Sequence, residues 1–531
     1  MPGAFHPLLL IIFDGFGISP RERGNAIRAA HAPALGAITR RYPFATLQAS
    51  GTAVGLPWGE AGNSEIGHLT MGAGRPIYHH LPRIVVAIQD GSFFSNPAFG
   101  GVITEVKARG SALHLLGLVS SGSVHSYIDH LYALLELVTQ NGLPQVWLHV
   151  ITDGKDAPSN EAAKFVSQIE ERLAAKYPAV RVASLIGRFY AMDRDEKWER
   201  VRSAYDLLVE GKGAPFEDAS GYLADAYARG QNDEDIEPAF RRDADGSPLG
   251  RIKDGDGLII FNFREDSVRE ITRAFAAETF DAFPRRRLPD LKIASMTEYE
   301  KYLPGIAAAF PPIEIARPLG RVLADAGKTQ LRIAESEKYA HVTYFFNGGT
   351  EKPFTGEERI FVPSANVPHF DDAPAMRAPE ITARILENVG GYDFILANFA
   401  NADMVGHTGN FEATVKAIEA LDQAVSRIVP AVFERGGVIV ITGDHGNAEE
   451  KIHPLSGEPI TEHTGNPVPF YLVGERWRKG EDRAPAEIAA LEKEPGGIIT
   501  DVAPTVLELM GLPIPPEMTG KSLLPLLNAE Q

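Results

Sequence analysis

Five short apolar runs, each closed by polar residues, constrain this chain's fold more than any other feature. They are Leu8–Phe13 before Asp14-Gly15, His149–Thr152 before Asp153-Gly154, Leu258–Phe263, Phe394–Phe399, and Gly437–Thr442 before Gly443-Asp444. They are continuous rather than alternating, as in parallel strands buried on both faces. Helical patterns lie between them: from Glu412 to Val429, Val415, Ile418, Leu421, Val425 and Ile428 fall at helical spacing. This alternation predicts an α/β chain with doubly wound layers. In such sheets ligands gather at the carboxyl ends of strands, where Asp14 stands.

Composition narrows the functional classes. A chain of 531 residues allows several units, or two large α/β domains. It has no Cys, which excludes disulfides, thiolate metal sites and a cysteine nucleophile. The net charge of −18 argues against non-specific nucleic-acid binding, and it means that an anionic substrate would need a local basic pocket. Leu8–Phe13 is too short to cross a membrane. No Lys or Arg precedes it and no Ala-x-Ala site follows, so it does not read as a secretion signal. The expectation is a cytoplasmic monomer without membrane or nucleic-acid partners. The acidic stretch Gln231–Pro238 is expected to be a solvated loop.

The chemistry-bearing residues fall in blocks. Gly62-Asn63-Ser64-Glu65-Ile66-Gly67-His68 places one serine in a small-residue stretch with a flexible turn, a poor setting for core packing. Far downstream stand Asp403 and His407, then Asp444 and His445, then His463. Asp403 and His407 are four apart and share a face if helical, although Gly406 weakens that helix. Asp444 and His445 are adjacent and diverge in a turn. With Asp14 these are oxygen and imidazole donors suited to two divalent ions such as Mn²⁺ or Zn²⁺. A serine beside such ions is a nucleophile for phosphoryl transfer. Singly, each donor has an ordinary reading as a helix cap, a strand-to-turn connection or an exposed histidine. Acidic and imidazole donors lie at the two ends of the chain and basic motifs between them, so the middle reads as an inserted domain. Gly74-Arg75-Pro76 and Phe310-Pro311-Pro312 punctuate the crossings, near Tyr78 and Pro311.

Longer segments complete the pattern: Phe13-Asp14-Gly15-Phe16-Gly17, Gly187-Arg188-Phe189-Tyr190-Ala191-Met192-Asp193-Arg194 and Ala334-Glu335-Ser336-Glu337-Lys338-Tyr339-Ala340-His341-Val342. With the serine and metal blocks, the chain resembles the cofactor-independent phosphoglycerate mutases of the alkaline phosphatase superfamily. The resemblance implies an alkaline-phosphatase-like domain (1–78 and 312–531) carrying an inserted substrate-binding transferase domain (79–311). It implies two Mn²⁺, with Mg²⁺, Co²⁺ or Zn²⁺ as alternatives. Asp403, His407 and His463 would hold one ion; Asp14, Ser64, Asp444 and His445 the other. Ser64 would be the phosphate acceptor. His125, Lys155, Asp156, Arg188, Arg194, Arg264 and Lys338 would bind 3-phosphoglycerate or 2-phosphoglycerate.

Two positions depart from that pattern. Lys155 stands where the family usually has Arg, which keeps the charge but loses the bidentate fork. The family's Arg-x-x-Arg reads Arg264-Glu265-Asp266-Ser267, and Arg269 would share a side with position 267 only on an extended backbone. A metal-dependent phosphatase or phosphopentomutase on a related scaffold is the alternative enzyme reading. A non-catalytic protein keeping the fold is the other; loss of Asp14, Ser64 or a metal histidine would mark it, and all are present.

Overall fold

The computed structural model describes residues 5–301 and 303–529. The chain divides into two compact units, one from the N-terminus to His79 and from Ile313 onward, the other His80–Pro312. Among the described residues, no helix is long and apolar enough to cross a membrane.

The first unit is built on an eight-stranded sheet with the order Glu357–Val362, Gln330–Glu335, Phe394–Phe399, Leu8–Phe13, Val438–Gly443, Val468–Val473, Phe44–Gln48, Gly497–Ile498. All neighbours are parallel except Val468–Val473, which runs against both of its partners. Leu8–Phe13 is central and alternates between the two faces. Leu8, Leu10 and Ile12 join one core cluster; Leu9, Ile11 and Phe13 join the other. Each such side chain, removed from water, stabilises the unit by about 1.5–3 kcal/mol. The helix Phe411–Phe433 packs Ile418, Leu421, Val425 and Ile428 onto the second cluster. It outruns the sequence reading by a turn and contains Pro430, which forfeits one amide bond within the helix.

Register explains why this sheet carries a site. Phe13 lies opposite Phe399 on one side and Gly443 on the other. The residues that follow, Asp14, the Asn401–Gly406 helix with Asp403, and Asp444, therefore emerge together at the carboxyl edge.

The second unit has its own eight-stranded sheet, ordered Ile306–Phe310, Lys292–Thr297, Gly257–Ile260, Leu113–Leu118, Val146–Thr152, Val180–Gly187, Ala239–Arg241, Ala214–Phe216. Only the Val180–Gly187 and Ala239–Arg241 pair is antiparallel. Separate apolar clusters cover its two faces. The strand ends of Leu118, Thr152, Gly187 and Ile260 lead into His125, Lys155-Asp156, Arg188 and Arg264.

The stretch Gln231–Pro238 is not a solvated loop throughout. Asp233 and Ile236 are fully buried. The Asp233 carboxylate accepts the backbone N–H groups of Glu161 (2.8 Å) and Ala162 (2.9 Å) at the start of the Ala162–Lys176 helix. Its acidity serves an unsatisfied helix terminus rather than water.

Candidate metal centre and anion pocket

Ser64 is not in a flexible turn. It opens the helix Ser64–Ala73 and is nearly buried. Asn63 caps that helix by accepting the N–H of Ile66 at 2.9 Å. Two glycines permit the approach of the chain segments here. A side chain at Gly67 would lie 2.8 Å from the Asp444 carbonyl oxygen; one at Gly15, which has φ +72°, would lie 2.7 Å from the Asp403 Cα.

Ser64 Oγ lies 2.9 Å from Asp14 Oδ1, 2.9 Å from His445 Nε2 and 2.6 Å from Lys338 Nζ. Lys338 Nζ is also 2.6 Å from Asp14 Oδ1 and 2.6 Å from Asp403 Oδ2. Asp403 Oδ1, His407 Nε2 and His463 Nε2 lie 3.0–3.2 Å from one another. The Nδ1 atoms of these histidines face backbone carbonyls, His407 at Thr461 (2.7 Å) and His463 at Gly62 (2.9 Å). Each ring thus turns its Nε2 inward, as metal-ligating histidines do when the other nitrogen is held. Asp403, His445 and His463 form one group that could hold an ion, and Asp14, His68 and Asp444 form another. The donors named from the sequence lie near one another, but the groups differ from the expected sets: His445 falls with Asp403 and His463, His407 falls in neither group, and His68 joins Asp14 and Asp444.

The charge balance fits divalent ions. Asp14, Asp403 and Asp444 are buried, and Lys338 is the ammonium among them. Burial works most strongly to raise the pKa of Asp14 and Asp403, but Lys338 together with the neighbouring histidines outweighs it, and both are held well below the usual range. Burial works against a charged His445, yet Asp444 and Asp14 push it up to about 10. Among the described residues Asp444 Oδ2 is buried with no hydrogen-bond partner, although His68 Nδ1 approaches it to 3.3 Å. The cluster is short of positive charge, and an orphaned carboxylate oxygen points to a missing cation.

The second unit holds a pocket of opposite character. A cavity of about 240 Å³ is lined by His125, Lys155, Asp156, Arg188, Arg194, Arg200, Arg264 and Ser267, among others. Arg188 donates to Asp153 and to Asp156, both at 2.6 Å. Asp266 Oδ2 lies 3.0 Å from both Arg194 and Arg264. His125 sits between Asp156, 3.4 Å from Nε2, and Ser267, 2.9 Å from Nδ1. Burial and then Arg188 lower the pKa of His125, which favours the neutral ring. Lys155 is largely exposed and lies 3.8 Å from Glu234.

Several functional residues escape sequence reasoning. Asp153 and Asp266 hold the arginines, and Arg200 joins the pocket, paired with Asp193 at 3.1 Å and stacked on Phe189 at 3.7 Å. Arg269 does not substitute at position 267. It opens the helix Arg269–Ala276 and donates to the Tyr299 carbonyl. Behind the metal donors, Asn447 Nδ2 donates to Asp403 Oδ1 at 2.8 Å. The fully buried Lys451 donates in turn to Asn447 Oδ1 and to the Gly406 carbonyl.

A 2,3-bisphosphoglycerate-independent phosphoglycerate mutase of Moorella thermoacetica is 48% identical to this chain over 520 residues, 98% of each. The chain belongs to that family. The mutase of Thermomicrobium roseum is 47% identical over 521 residues, 97% of each chain. Residues 84–301 match the family profile described as the BPG-independent PGAM N-terminus. Among solved structures, the phosphoglycerate mutase of Leishmania mexicana, described at low cobalt concentration, is 30% identical over 98% of each chain with a TM-score of 0.54. The mutase family makes this chain an isomerase of glycolysis, and its clustered donors make it a candidate metalloenzyme.

Proposed function

We propose that this chain interconverts 3-phosphoglycerate and 2-phosphoglycerate through a phosphoserine on Ser64, without 2,3-bisphosphoglycerate. One observation carries the reading: the Ser64 hydroxyl opens a helix and meets Asp14, His445 and Lys338 within 2.6–2.9 Å. A helix N-terminus and an ammonium favour the arriving phosphoryl group.

Asp403, His407 and His463 would hold one divalent ion; Asp14, Ser64, Asp444 and His445 the other. We assign both as Mn²⁺, with Mg²⁺, Co²⁺ or Zn²⁺ as alternatives. Bound ions would supply charge neutralisation and a more acidic serine hydroxyl. Ser64 Oγ gives up its proton and bonds to phosphorus as the bond to the 3-oxygen breaks and that oxygen is protonated; the 2-oxygen of the retained glycerate then gives up its proton and bonds to phosphorus as the Oγ–P bond breaks and Oγ is reprotonated. Lys338 offsets charge on the transferring group. Arg188, Arg194, Arg264 and Lys155 offer donors to carboxylate or phosphate, and His125 and Asp156 address the glycerate hydroxyls. The carboxylates that hold each arginine fix its fork in place before substrate arrives. We place the enzyme in the cytoplasm as a monomer acting on small molecules.

The test is a mutase assay on metal-depleted protein without 2,3-bisphosphoglycerate, restoring Mn²⁺, Mg²⁺, Zn²⁺ or Co²⁺ in turn. Activity should be absent without metal and return most fully with Mn²⁺. Full activity after metal removal would overturn the reading.

A further inference from the structure

Behind Asp14 and Asp444 lies a polar pair with no assigned task. Asn398 is in the strand Phe394–Phe399, opposite Ile12, and is fully buried among apolar neighbours. His68 is one helical turn beyond Ser64 and is also fully buried. A strand interior and a helix core are costly places for an amide and an imidazole unless each polar atom is used.

Three of their four polar side-chain atoms join one connected chain; among the described residues Asn398 Oδ1 has no partner. Asn398 Nδ2 donates to Asp14 Oδ2 at 2.8 Å and lies 3.0 Å from His68 Nε2. That amide nitrogen can only donate, so His68 Nε2 accepts and Nδ1 carries the proton. Nδ1 lies 2.8 Å from the Ser64 carbonyl oxygen and 3.3 Å from Asp444 Oδ2. With Oδ2 of Asp14 tied down, Oδ1 is the oxygen turned toward Ser64. The imidazole in turn ties the helix that carries Ser64 to the strand that carries Asn398, and it faces Asp444 without a hydrogen bond to it.

We propose that His68 and Asn398 are positioning residues that fix Asp14 beside Ser64 for the ion on the nucleophile's side. His68 belongs to a group that could itself hold an ion. The geometry assigns it otherwise: one ring nitrogen is occupied by Asn398 and the other faces the Ser64 carbonyl. This inference rests on the two-ion reading above. Partners that orient metal ligands typically affect affinity by about 10–100-fold when removed.

The experiment is calorimetric titration of metal-depleted protein with Mn²⁺, comparing wild type with Asn398→Leu, His68→Leu and His68→Asn. The Asn side chain keeps a donor where Nδ1–H stands but loses the partner of Asn398. Wild type should bind two ions. Asn398→Leu and His68→Leu should weaken one binding event about 10–100-fold and leave the other unchanged, with two ions still bound at saturation. His68→Asn should lie between His68→Leu and wild type, with kcat falling more than KM rises. If a Leu variant does not fold, as judged by circular dichroism of the metal-free protein, the His68→Asn result decides. Unchanged affinities in the variants would overturn the positioning role. Loss of one whole ion in His68→Asn would overturn it too, making His68 a ligand. Failure of wild type to bind two ions would instead sink the two-ion reading itself.

Discussion

The two sites solve opposite electrostatic problems. In the first unit, buried carboxylates outnumber the one ammonium among them, and the shortage of positive charge drives His445 up to about 10. In the second unit, cations line the cavity and carboxylates hold most of them: Asp153 and Asp156 hold Arg188, and Asp266 holds both Arg194 and Arg264. One site is buried and unbalanced; the other is open and balanced. A buried imbalance suits ions that stay, because desolvation makes their removal costly. An open, paired array suits an anion that must come and go. The puzzle of a basic pocket on a chain of net charge −18 resolves locally: the acids that dominate the composition include those that hold the arginines.

The largest effect should come from removing the nucleophile. Ser64→Ala takes away the only side chain proposed to attack phosphorus, and such losses cost several orders of magnitude in rate. The variant should still fold, and it should bind at least the ion held by Asp403, His407 and His463. A coupled assay of turnover, with circular dichroism for the fold, checks this. Near-normal turnover would remove the first site from the chemistry.

Next comes the buried imbalance itself. Lys338→Met leaves Asp14, Asp403 and Asp444 without their ammonium. Breaking a buried pair typically costs about 3–5 kcal/mol, and the metal-free protein should lose stability on that scale. Added Mn²⁺ should restore much of it by replacing the charge. The same change at Arg194, whose side chain is 55% exposed, should cost under about 1 kcal/mol. Urea unfolding of both metal-depleted variants makes the comparison. Equal losses would break the contrast between a buried and an open site.

A third prediction separates the units by acid. In the second unit His130 is buried against Tyr127 and Phe263, neither ring nitrogen is hydrogen-bonded among the described residues, and burial pushes its pKa down to about 3. The folded value lies below the unfolded value of about 6.5, so the unfolded chain binds the proton more readily. Stability is therefore whole above pH 6.5 and is lost as pH falls toward 3. At pH 5 the loss from this residue is about 2 kcal/mol. His130→Phe should flatten that decline and change little at pH 8. Urea midpoints at pH 8, 6 and 5 test it; parallel declines in both proteins would clear His130 of the effect.

The sheets and most site residues were legible in the sequence because they are local. Leu8–Phe13 announces a buried strand by composition alone, and Asp14 and Asp444 stand just past the ends of such strands, whereas Ser64 opens a helix. Their partners were not legible. Asn398 meets His68 across 330 positions, and nothing in Phe394–Phe399 marks one amide as different from a misplaced polar residue. Lys451 is similar: a lysine in an acidic stretch reads as solvated, yet it is fully buried behind Asn447. Asp233 misleads in the same way, since charge predicts exposure unless a helix terminus needs the carboxylate. Composition tells which residues can do chemistry. Which polar residues hold the others still depends on folding.

The smallest effect concerns Ser267, where the open site departs most from its family's pattern. Its hydroxyl lies 2.9 Å from His125 Nδ1, and Asp156 faces Nε2 at 3.4 Å. Asp266 also faces Nδ1, at 3.7 Å, but the nearer Asp156 favours the proton on Nε2, so that Nδ1 accepts from the serine. Ser267→Ala removes one neutral hydrogen bond, worth about 1 kcal/mol, or roughly fivefold in an equilibrium. Arg194 and Arg264 keep Asp266, so the anion grip should remain and only the aim of the imidazole should loosen. The expected result is a rise of about fivefold in KM for 3-phosphoglycerate with unchanged Mn²⁺ affinity. The ¹⁵N shifts of His125 should move from a single Nε2–H tautomer toward a mixture. If KM and tautomer both hold, His125 is aimed by the carboxylates of Asp156 and Asp266 and the hydroxyl at position 267 merely fills space.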